Sequence, residues 1–311
     1  MRIMVFGAGG VGGYFGGRLA QADKDVIFIA RGEHLKAIQS NGLQVESICG
    51  DFTVGAVQAT QDPSSVGIVD VVLVAVKAWL VSEAAEAMRP VVGSNTIVVP
   101  LQNGVDAPGE LAVVLGDLPV LGGLCRIASS LVAPGQIRHT AIQPQVIFGE
   151  LGGGSSQRAE PLRAAFEDAG VAAEISNEIQ AAMWAKFLFI TALSGVCAVT
   201  RMPVGVVRSL PEARTMLEEA MLEIEAVAHA YQIALPVDIV PRTMVFINGL
   251  PGDTTPSMQR DILDGRPSEL DYQSGAVVRL GAKQHIPTPT NEFIYRSLVP
   301  QERRARGVLL G

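Results

Sequence analysis

The chain has 311 residues, which is more than one hydrophobic core usually serves, so its length favours two domains. Hydrophobic residues make up 48% of the sequence and charged residues 18%, a balance that excludes an intrinsically disordered protein. The net charge is −7 and the sequence has no block of lysines and arginines. A nucleic acid or an acidic membrane surface is therefore not an expected partner.

The three cysteines are far apart and form no CxxC motif, which fits a reducing compartment better than a disulfide framework. The four histidines are isolated as well, so no metal site is expected. Residues 181–199 form an apolar run of nearly membrane-spanning length, but Lys186 lies within it. Because a lysine at the centre of a membrane helix costs about 2.5–3.5 kcal/mol, we expect a buried helix in a cytoplasmic protein.

The first half of the chain alternates β-branched segments with helical segments, the pattern of a parallel sheet joined by crossover helices. Its predicted strands are 2–6, 25–30, 70–76 and 96–101, with further strands near 120, at 145–149 and at 171–175. The predicted helices between them are 12–21 and 33–40.

The second half has only helical periodicity, punctuated by proline and glycine. Its predicted helices are 178–199, 212–231, 257–263, 269–284 and 291–298. This change of pattern predicts an α/β domain of Rossmann type over residues 1–176 and an all-α domain over residues 177–311.

A glycine-rich motif directly follows the first predicted strand and opens the first helix. Gly7-Ala8-Gly9-Gly10-Val11-Gly12 matches the G-x-G-x-x-G pattern of dinucleotide-binding sites. Its glycines let the backbone approach a pyrophosphate, whose charge then lies at the helix N-terminus. A glycine-rich tight turn is the alternative, but the position in the first βα turn favours cofactor binding.

The end of the second predicted strand favours NADP(H) over NAD(H). An NAD site usually has an acidic side chain at this strand end, where it holds the ribose 2′-hydroxyl. Here the strand ends in Ala30-Arg31, and a guanidinium can bind a 2′-phosphate by charge-assisted hydrogen bonds. Glu33 is close enough in sequence to leave NAD open.

Two further polar segments follow predicted strands. Lys77 follows strand 70–76, and Gln102-Asn103-Gly104 follows strand 96–101. Ligands of open α/β sheets bind outside the carboxyl ends of the strands, so both segments are predicted to contact cofactor or substrate. A solvated lysine and an Asn-Gly turn are the alternatives.

Three residues of the helical half are candidates for chemistry. Lys186 is the only charged residue between Glu178 and Arg201, and a desolvated lysine can protonate the oxygen of a ketone as hydride adds to its carbon. A lysine that extends from a buried helix to solvent is an equal alternative. Ser257 can serve as a helix N-cap, and Glu269 as a first-turn carboxylate at the helix dipole.

Taken together and in this order, these residues resemble the ketopantoate reductase (2-dehydropantoate 2-reductase) family over nearly the whole chain. The motifs that carry the resemblance are the glycine motif, Val-Lys-Ala-Trp at 76–79, Gln-Asn-Gly at 102–104, Trp-Ala-Lys at 184–186, Ser-Met at 257–258 and Ser-Glu-Leu-Asp-Tyr at 268–272. The resemblance implies a Rossmann domain followed by a helical domain like that of 6-phosphogluconate dehydrogenase.

The resemblance also implies roles for individual residues. Lys186 is expected to be the general acid, with Glu269 holding substrate and lysine. Ser257 is expected to bind the substrate carboxylate. Asn103 and Lys77 are expected to position cofactor and substrate, and Arg31 to contact the 2′-phosphate of NADPH.

One departure from the family pattern concerns the substrate. Family members carry asparagines four and eight residues after the lysine, and here Ile190 and Ser194 stand in those places. Ser194 keeps a hydroxyl for the substrate, whereas Ile190 cannot form a hydrogen bond. The expected partner is therefore ketopantoate or another small 2-keto acid. A β-hydroxy-acid dehydrogenase and a catalytically silent NADP-binding sensor are alternatives, and a homodimer is left open.

Overall fold

The computed structural model describes residues 1–55 and 57–308, and the chain divides into two compact units. The first unit contains Met1–Gln102 and Ala107–Gln180, and the second contains Asn103–Asp106 and Ala181–Gly311. The boundary predicted after residue 176 lies close to the division after residue 180. The last three residues of the predicted helical domain lie outside the described residues.

The first unit contains strands and helices in alternation. Its strands are β1 (Arg2–Phe6), β2 (Asp25–Ile29), β3 (Leu43–Ser47), β4 (Phe52–Val54), β5 (Gln58–Thr60), β6 (Val69–Val74), β7 (Val92–Pro100), β8 (Gly122–Ala133), β9 (Gln136–Gly149) and β10 (Ala172–Ile175). Its helices are α1 (Gly10–Gln21), α2 (Gly32–Asn41), α3 (Val81–Met88), α4 (Ala107–Leu115) and α5 (Glu160–Asp168).

A five-stranded sheet, in the order β5-β2-β1-β6-β7, is parallel throughout. The central strand β1 is apolar on both faces, as expected for a strand covered by helices on both sides. Ile3 and Val5 belong to one buried cluster, whereas Met4 and Phe6 belong to another, in keeping with the two-residue period of a strand. The predicted parallel α/β fold is confirmed.

A second, mixed sheet was predicted only in part. Its order is β10-β9-β3-β4, and β8 pairs with β9 as a long antiparallel hairpin. The sequence predicted β10 and the end of β9, but not β3, β4 or most of the hairpin. These strands are half-exposed along much of their length, so they lack the continuous apolar runs that mark β1 and β6.

The second unit is helical. Its helices are α6 (Ile179–Thr200, whose first two residues belong to the first unit), α7 (Val204–Ser209), α8 (Pro211–Ala230), α9 (Ile239–Asn248), α10 (Ser257–Leu263), α11 (Ser274–Lys283) and α12 (Pro289–Ala305). Helix α6 is long and apolar enough to cross a membrane, but 67% of its most apolar window is buried inside the structure. The predicted buried helix is therefore confirmed.

The prediction of one continuous helix over 269–284 is wrong at its start. Residues 270–272 form a single 3₁₀ turn, and α11 begins only at Ser274. Between them Gln273 has φ −111° and ψ −101°, which no helix accommodates. Glu269 therefore precedes a tight turn and does not lie in the first turn of α11.

Candidate active site

The glycine motif forms a turn in which a side chain at Gly7, Gly10 or Gly12 would clash with neighbouring backbone. Gly7 has φ +104°, and a Cβ there would lie 2.9 Å from the backbone nitrogen of Val76. A Cβ on Gly12 would lie 2.0 Å from the carbonyl oxygen of Gly7. The first glycine therefore permits the backbone conformation, and the last permits close packing of α1 on the strand, as in dinucleotide sites.

The turn leaves room for an anion at the start of α1. A Cβ on Gly9 would meet nothing within 4 Å, so the backbone at this position is open to approach. Gly9 is also the N-cap of α1, where no side chain caps the helix and the first turn holds no acidic residue. Because the helix N-terminus carries a partial positive charge, these features fit the pyrophosphate of a dinucleotide.

His34 supports this turn and was not identified from the sequence. Its Nε2 lies 2.7 Å from the carbonyl oxygen of Ala8, and its Nδ1 accepts a hydrogen bond of 2.9 Å from the backbone N–H of Gly135. Nε2 must then carry the proton that it donates to Ala8. The ring thus joins α2 to the glycine turn and to the hairpin of β8 and β9, a link that no local pattern indicates.

Arg31 and Lys77 follow the two strands that flank β1. Arg31 is the N-cap of α2, is largely exposed, and its Nη2 lies 3.0 Å from Oε1 of Glu83 in the first turn of α3. Lys77 is also exposed, and its Nζ lies 5.7 Å from the centroid of the Trp79 ring. Both predicted cofactor ligands therefore reach solvent at the carboxyl edge of the parallel sheet.

Gln102 fixes the end of β7 to the end of β6. Its Nε2 donates to the carbonyl oxygens of Val74 and Val76, both at 3.0 Å, and the side chain is buried. The amide of Gln102 is therefore a structural cross-link that holds the segment leading to Lys77.

The structure brings Asn103 and Glu269 together, although 166 positions separate them in sequence. Nδ2 of Asn103 donates to Oε2 of Glu269 at 3.3 Å. A Cβ on Gly104 would lie 2.9 Å from the carbonyl oxygen of Tyr272, and Gly104 has φ +101°. The Asn-Gly pair thus lies tightly against the turn that follows Glu269.

An ion pair anchors the other end of the same loop. Nη2 of Arg279 lies 2.6 Å from Oδ2 of Asp106. Burial raises the pKa of the Asp106 carboxyl, while the charges of Arg279 and Lys283 oppose this shift. Arg279 also donates to the backbone carbonyl of Asp271, whose carboxylate accepts a 2.8 Å hydrogen bond from the Tyr295 hydroxyl.

The segment that carries Glu269 is held by α12. Oε1 and Oε2 of Glu302 accept hydrogen bonds of 3.1 and 3.0 Å from the backbone N–H of Ser268. Arg306 binds both Glu302, at 2.6 Å, and the carbonyl oxygen of Ser268, at 2.9 Å. No local pattern predicts this contact, because Ser268 and Glu302 are 34 residues apart.

Ser257 and Glu269 do not play the structural roles considered as alternatives. The N-cap of α10 is Pro256, whose side chain forms no capping hydrogen bond with the described residues, and Ser257 is the first residue of the helix. Ser257 is half-buried. The carboxylate of Glu269 is 8% exposed and faces Asn103. Their predicted binding roles remain compatible with this placement.

Helix α6 presents a partly exposed face and a buried one. Lys186 and Ile190, one turn apart, are both half-buried on the first face. Ser194, two turns from Lys186, is fully buried, and its Oγ has no hydrogen-bond partner among the described residues. The Lys186 side chain is thus partly accessible, and its role as an acid, like a substrate contact by Ser194, stays a prediction.

Comparisons with known proteins agree with these features. Residues 3–153 match the model of the family ketopantoate reductase PanE/ApbA, and residues 178–302 match that of its C-terminal domain. An uncharacterized oxidoreductase of Bacillus subtilis is 30% identical over 302 residues, covering 96% of this chain and 98% of that protein. A 2-dehydropantoate 2-reductase of Mesorhizobium japonicum is 30% identical over 315 residues, covering 94% of this chain and 95% of that protein.

A solved structure shows the same fold over the whole chain. The crystal structure of a PanE/ApbA family ketopantoate reductase from Ralstonia eutropha JMP134 superposes with a TM-score of 0.90 at 32% sequence identity, covering 98% of this chain and all of that one. Both halves of the sequence and both parts of the fold match. The chain therefore belongs to the ketopantoate reductase PanE/ApbA family and is an oxidoreductase that acts on a CH–OH group.

Proposed function

We propose that the protein is an NADPH-dependent reductase that converts a small 2-keto acid to the 2-hydroxy acid, with 2-dehydropantoate as substrate and pantoate as product. The observation that carries the proposal is the hydrogen bond between Asn103 and Glu269. Both residues were predicted from the sequence as site residues, and their contact holds a buried carboxylate in the unit that also carries Lys186.

The proposed chemistry needs a proton donor at the substrate oxygen. When bound, NADPH supplies the hydride that reduces the keto carbon. Lys186 donates a proton to the carbonyl oxygen, so that the ketone becomes a hydroxyl group. Its position on the partly exposed face of α6 lets the ammonium meet a ligand while the rest of the helix stays packed.

Other residues orient the substrate. The hydroxyl of Ser257 is not used to cap α10, so it can donate to the carboxylate of the 2-keto acid. Asn103 and Glu269, already joined to each other, offer one donor and one acceptor for the polar groups of the substrate. Such fixed groups raise the rate by orientation and by stabilising charge at the oxygen.

We place this reaction in the cytoplasm, in the synthesis of pantothenate and coenzyme A. The similarity to 2-dehydropantoate 2-reductases from several organisms supports the reaction on which this part of the proposal rests. The proposed partners are the small-molecule keto acid and NADPH. We also propose a homodimer, which the oligomeric state in solution would test.

Ile190 supports a second candidate substrate. Its apolar side chain lies one turn from Lys186 on the same face of α6, where a hydroxylated substrate would find no hydrogen bond. A 2-keto acid with an apolar side chain, such as phenylglyoxylate, needs no hydrogen bond at this position. A site that lacks a hydrogen-bonding partner loses much of its preference for the polar substrate.

A substrate panel distinguishes the candidates. The enzyme is assayed for NADPH oxidation with 2-dehydropantoate, 2-ketoisovalerate and phenylglyoxylate, together with the variant Ile190→Asn. The proposal expects the highest kcat/KM with 2-dehydropantoate, whereas a preference for phenylglyoxylate that Ile190→Asn reverses would favour the second candidate. Tight NADPH binding with no turnover of any 2-keto acid would contradict both.

A further inference from the structure

The ion pair between Arg31 and Glu83 joins the segments that follow the two neighbours of β1. Arg31 follows β2, and Glu83 lies in α3, which follows β6. Nη2 of Arg31 is 3.0 Å from Oε1 of Glu83, and the two side chains are 65% and 60% exposed. Both groups therefore remain accessible to a ligand bound at the carboxyl edge of the sheet, where the glycine turn also lies.

We infer that Glu83 is a specificity-determining residue of the cofactor site, whose carboxylate weakens the preference of Arg31 for NADPH and supports the binding of NADH. The inference rests on the proposed function in so far as a nicotinamide dinucleotide binds at the glycine turn.

The first effect of Glu83 is on the binding of NADPH. A 2′-phosphate that binds Arg31 competes with Glu83 for the same guanidinium. An exposed ion pair contributes little to stability, so the phosphate can displace the carboxylate. The negative charge of Glu83 nevertheless stays near the phosphate and opposes its binding, to an extent that solvent and salt reduce.

The second effect of Glu83 is on the binding of NADH. Sites for NAD usually place an acidic side chain at the end of the second strand, where it accepts a hydrogen bond from the ribose 2′-hydroxyl. Here that strand is followed by Ala30 and Arg31. The carboxylate of Glu33 pairs with Lys36 of the same helix at 2.7 Å, whereas that of Glu83 pairs with Arg31 itself. Glu83, held beside Arg31, brings a carboxylate to this place from α3.

One pair of side chains therefore contains a group for each cofactor. The guanidinium favours the phosphorylated ribose, and the carboxylate favours the free hydroxyl. The chain is expected to bind both cofactors, with NADPH preferred only moderately.

The experiment measures dissociation constants of NADPH and NADH by fluorescence titration of the full chain, so it does not depend on the substrate. The variants are Glu83→Gln and Arg31→Ala. Glu86→Gln is the matched control, because Glu86 lies one turn further along α3, is 60% exposed and pairs with Arg89 at 3.0 Å.

Removing the charge of Glu83 should tighten NADPH binding about threefold and weaken NADH binding about threefold, the scale of one exposed charge interaction. The ratio of the two dissociation constants then changes by about tenfold in favour of NADPH. Arg31→Ala should change the ratio in the opposite direction, and Glu86→Gln should leave it within about twofold. The effect of Glu83→Gln should shrink at high salt.

Two results would overturn the inference, and they differ. An unchanged ratio in Glu83→Gln, while Arg31→Ala loses its preference for NADPH, would remove Glu83 from the site and leave the proposed function intact. Failure of the wild-type protein to bind either cofactor would overturn the proposed function and this inference with it.

Discussion

Glu302 accepts hydrogen bonds from both the backbone N–H and the hydroxyl of Ser268, the residue that precedes Glu269. Glu302 is 3% exposed, and Arg306 supplies the compensating charge. The last helix thus fixes the backbone next to a proposed substrate-binding carboxylate. A buried carboxylate with a charged partner and two further donors is costly to remove, because its partners stay behind without an acceptor.

Replacing Glu302 should therefore destabilise the protein. We expect Glu302→Ala to lower the free energy of unfolding by about 1–3 kcal/mol, since the buried N–H and hydroxyl of Ser268 lose their acceptor. Glu302→Gln, which keeps an acceptor for Ser268, should cost less. The control is Glu292→Ala in the same helix, whose 41% exposed carboxylate pairs with Arg296 and should contribute no more than about 1 kcal/mol. Urea unfolding followed by circular dichroism measures each value, and equal losses for Glu302→Ala and Glu292→Ala would contradict the argument.

Lys186 should be needed for turnover and not for cofactor binding. We expect Lys186→Ala to lower kcat by about 10²–10⁴-fold, the usual contribution of a positioned general acid. The NADPH dissociation constant should stay near that of the wild type, because the glycine turn belongs to the other unit. Lys283→Ala, which removes an exposed lysine of α11, is the control for loss of charge. If Lys186→Ala retained full kcat, the lysine would have no role as an acid.

Gly12 should tolerate no side chain. Gly12→Ala places a methyl group 2.0 Å from the carbonyl oxygen of Gly7, so the turn must move and NADPH binding should be lost. Gly109→Ala in α4 is the control, since a Cβ there meets nothing within 4 Å. This second variant should be neutral or more stable by up to about 1 kcal/mol, because alanine favours a helix. Fluorescence titration with NADPH checks both, and normal binding by a folded Gly12→Ala protein would exclude the proposed turn.

The free energy of unfolding should fall at acid pH, in part because the carboxylate of Glu150 becomes protonated. Two hydrogen bonds from Arg158, of 2.8 and 2.6 Å, hold the pKa of the Glu150 carboxyl below its ordinary value of 4.5. The folded state therefore binds this proton less readily than the unfolded state. The resulting stabilisation is complete above pH 4.5 and is lost as the pH falls through the lower, folded-state pKa.

The variant Glu150→Gln tests this pH dependence. Its free energy of unfolding should lie below that of the wild type near neutral pH, and the difference should shrink as the pH falls below 4.5. Glu46→Gln is the control, because Glu46 is 62% exposed and makes a single ion pair with Arg138. A difference between wild type and Glu150→Gln that stays constant across this range would assign another role to Glu150.

The parts of the molecule that local patterns describe were predictable from the sequence. The strand β1 and the glycine turn after it were found because apolar residues and glycines occur there at fixed spacing. The buried helix α6 was found because a single lysine interrupts a long apolar run. The hairpin of β8 and β9 was largely missed, since its stability comes from pairing with distant strands and not from its own periodicity.

Contacts between distant residues were not predictable in the same way. Glu83 reaches Arg31 across 52 residues, and Glu302 reaches Ser268 across 34. Neither pair can be recognised from the local sequence, because a glutamate in a helix has the same neighbours along the chain with or without a distant partner. The start of α11 was placed too early for a related reason: the conformation of Gln273 depends on its packing, and its side chain is fully buried.

The loop Asn103–Asp106 belongs to the helical unit although the chain enters and leaves it from the parallel-sheet unit. Protein engineers who exchange helical units between relatives therefore cannot cut the gene once, after residue 180. In a chimera made that way, the loop would come from one parent and the helices from the other. Asn103 and Asp106 would then face the other parent's residues in place of Glu269 and Arg279, their partners here. The four residues of the loop must therefore be exchanged together with the helices, so that both come from the same parent protein.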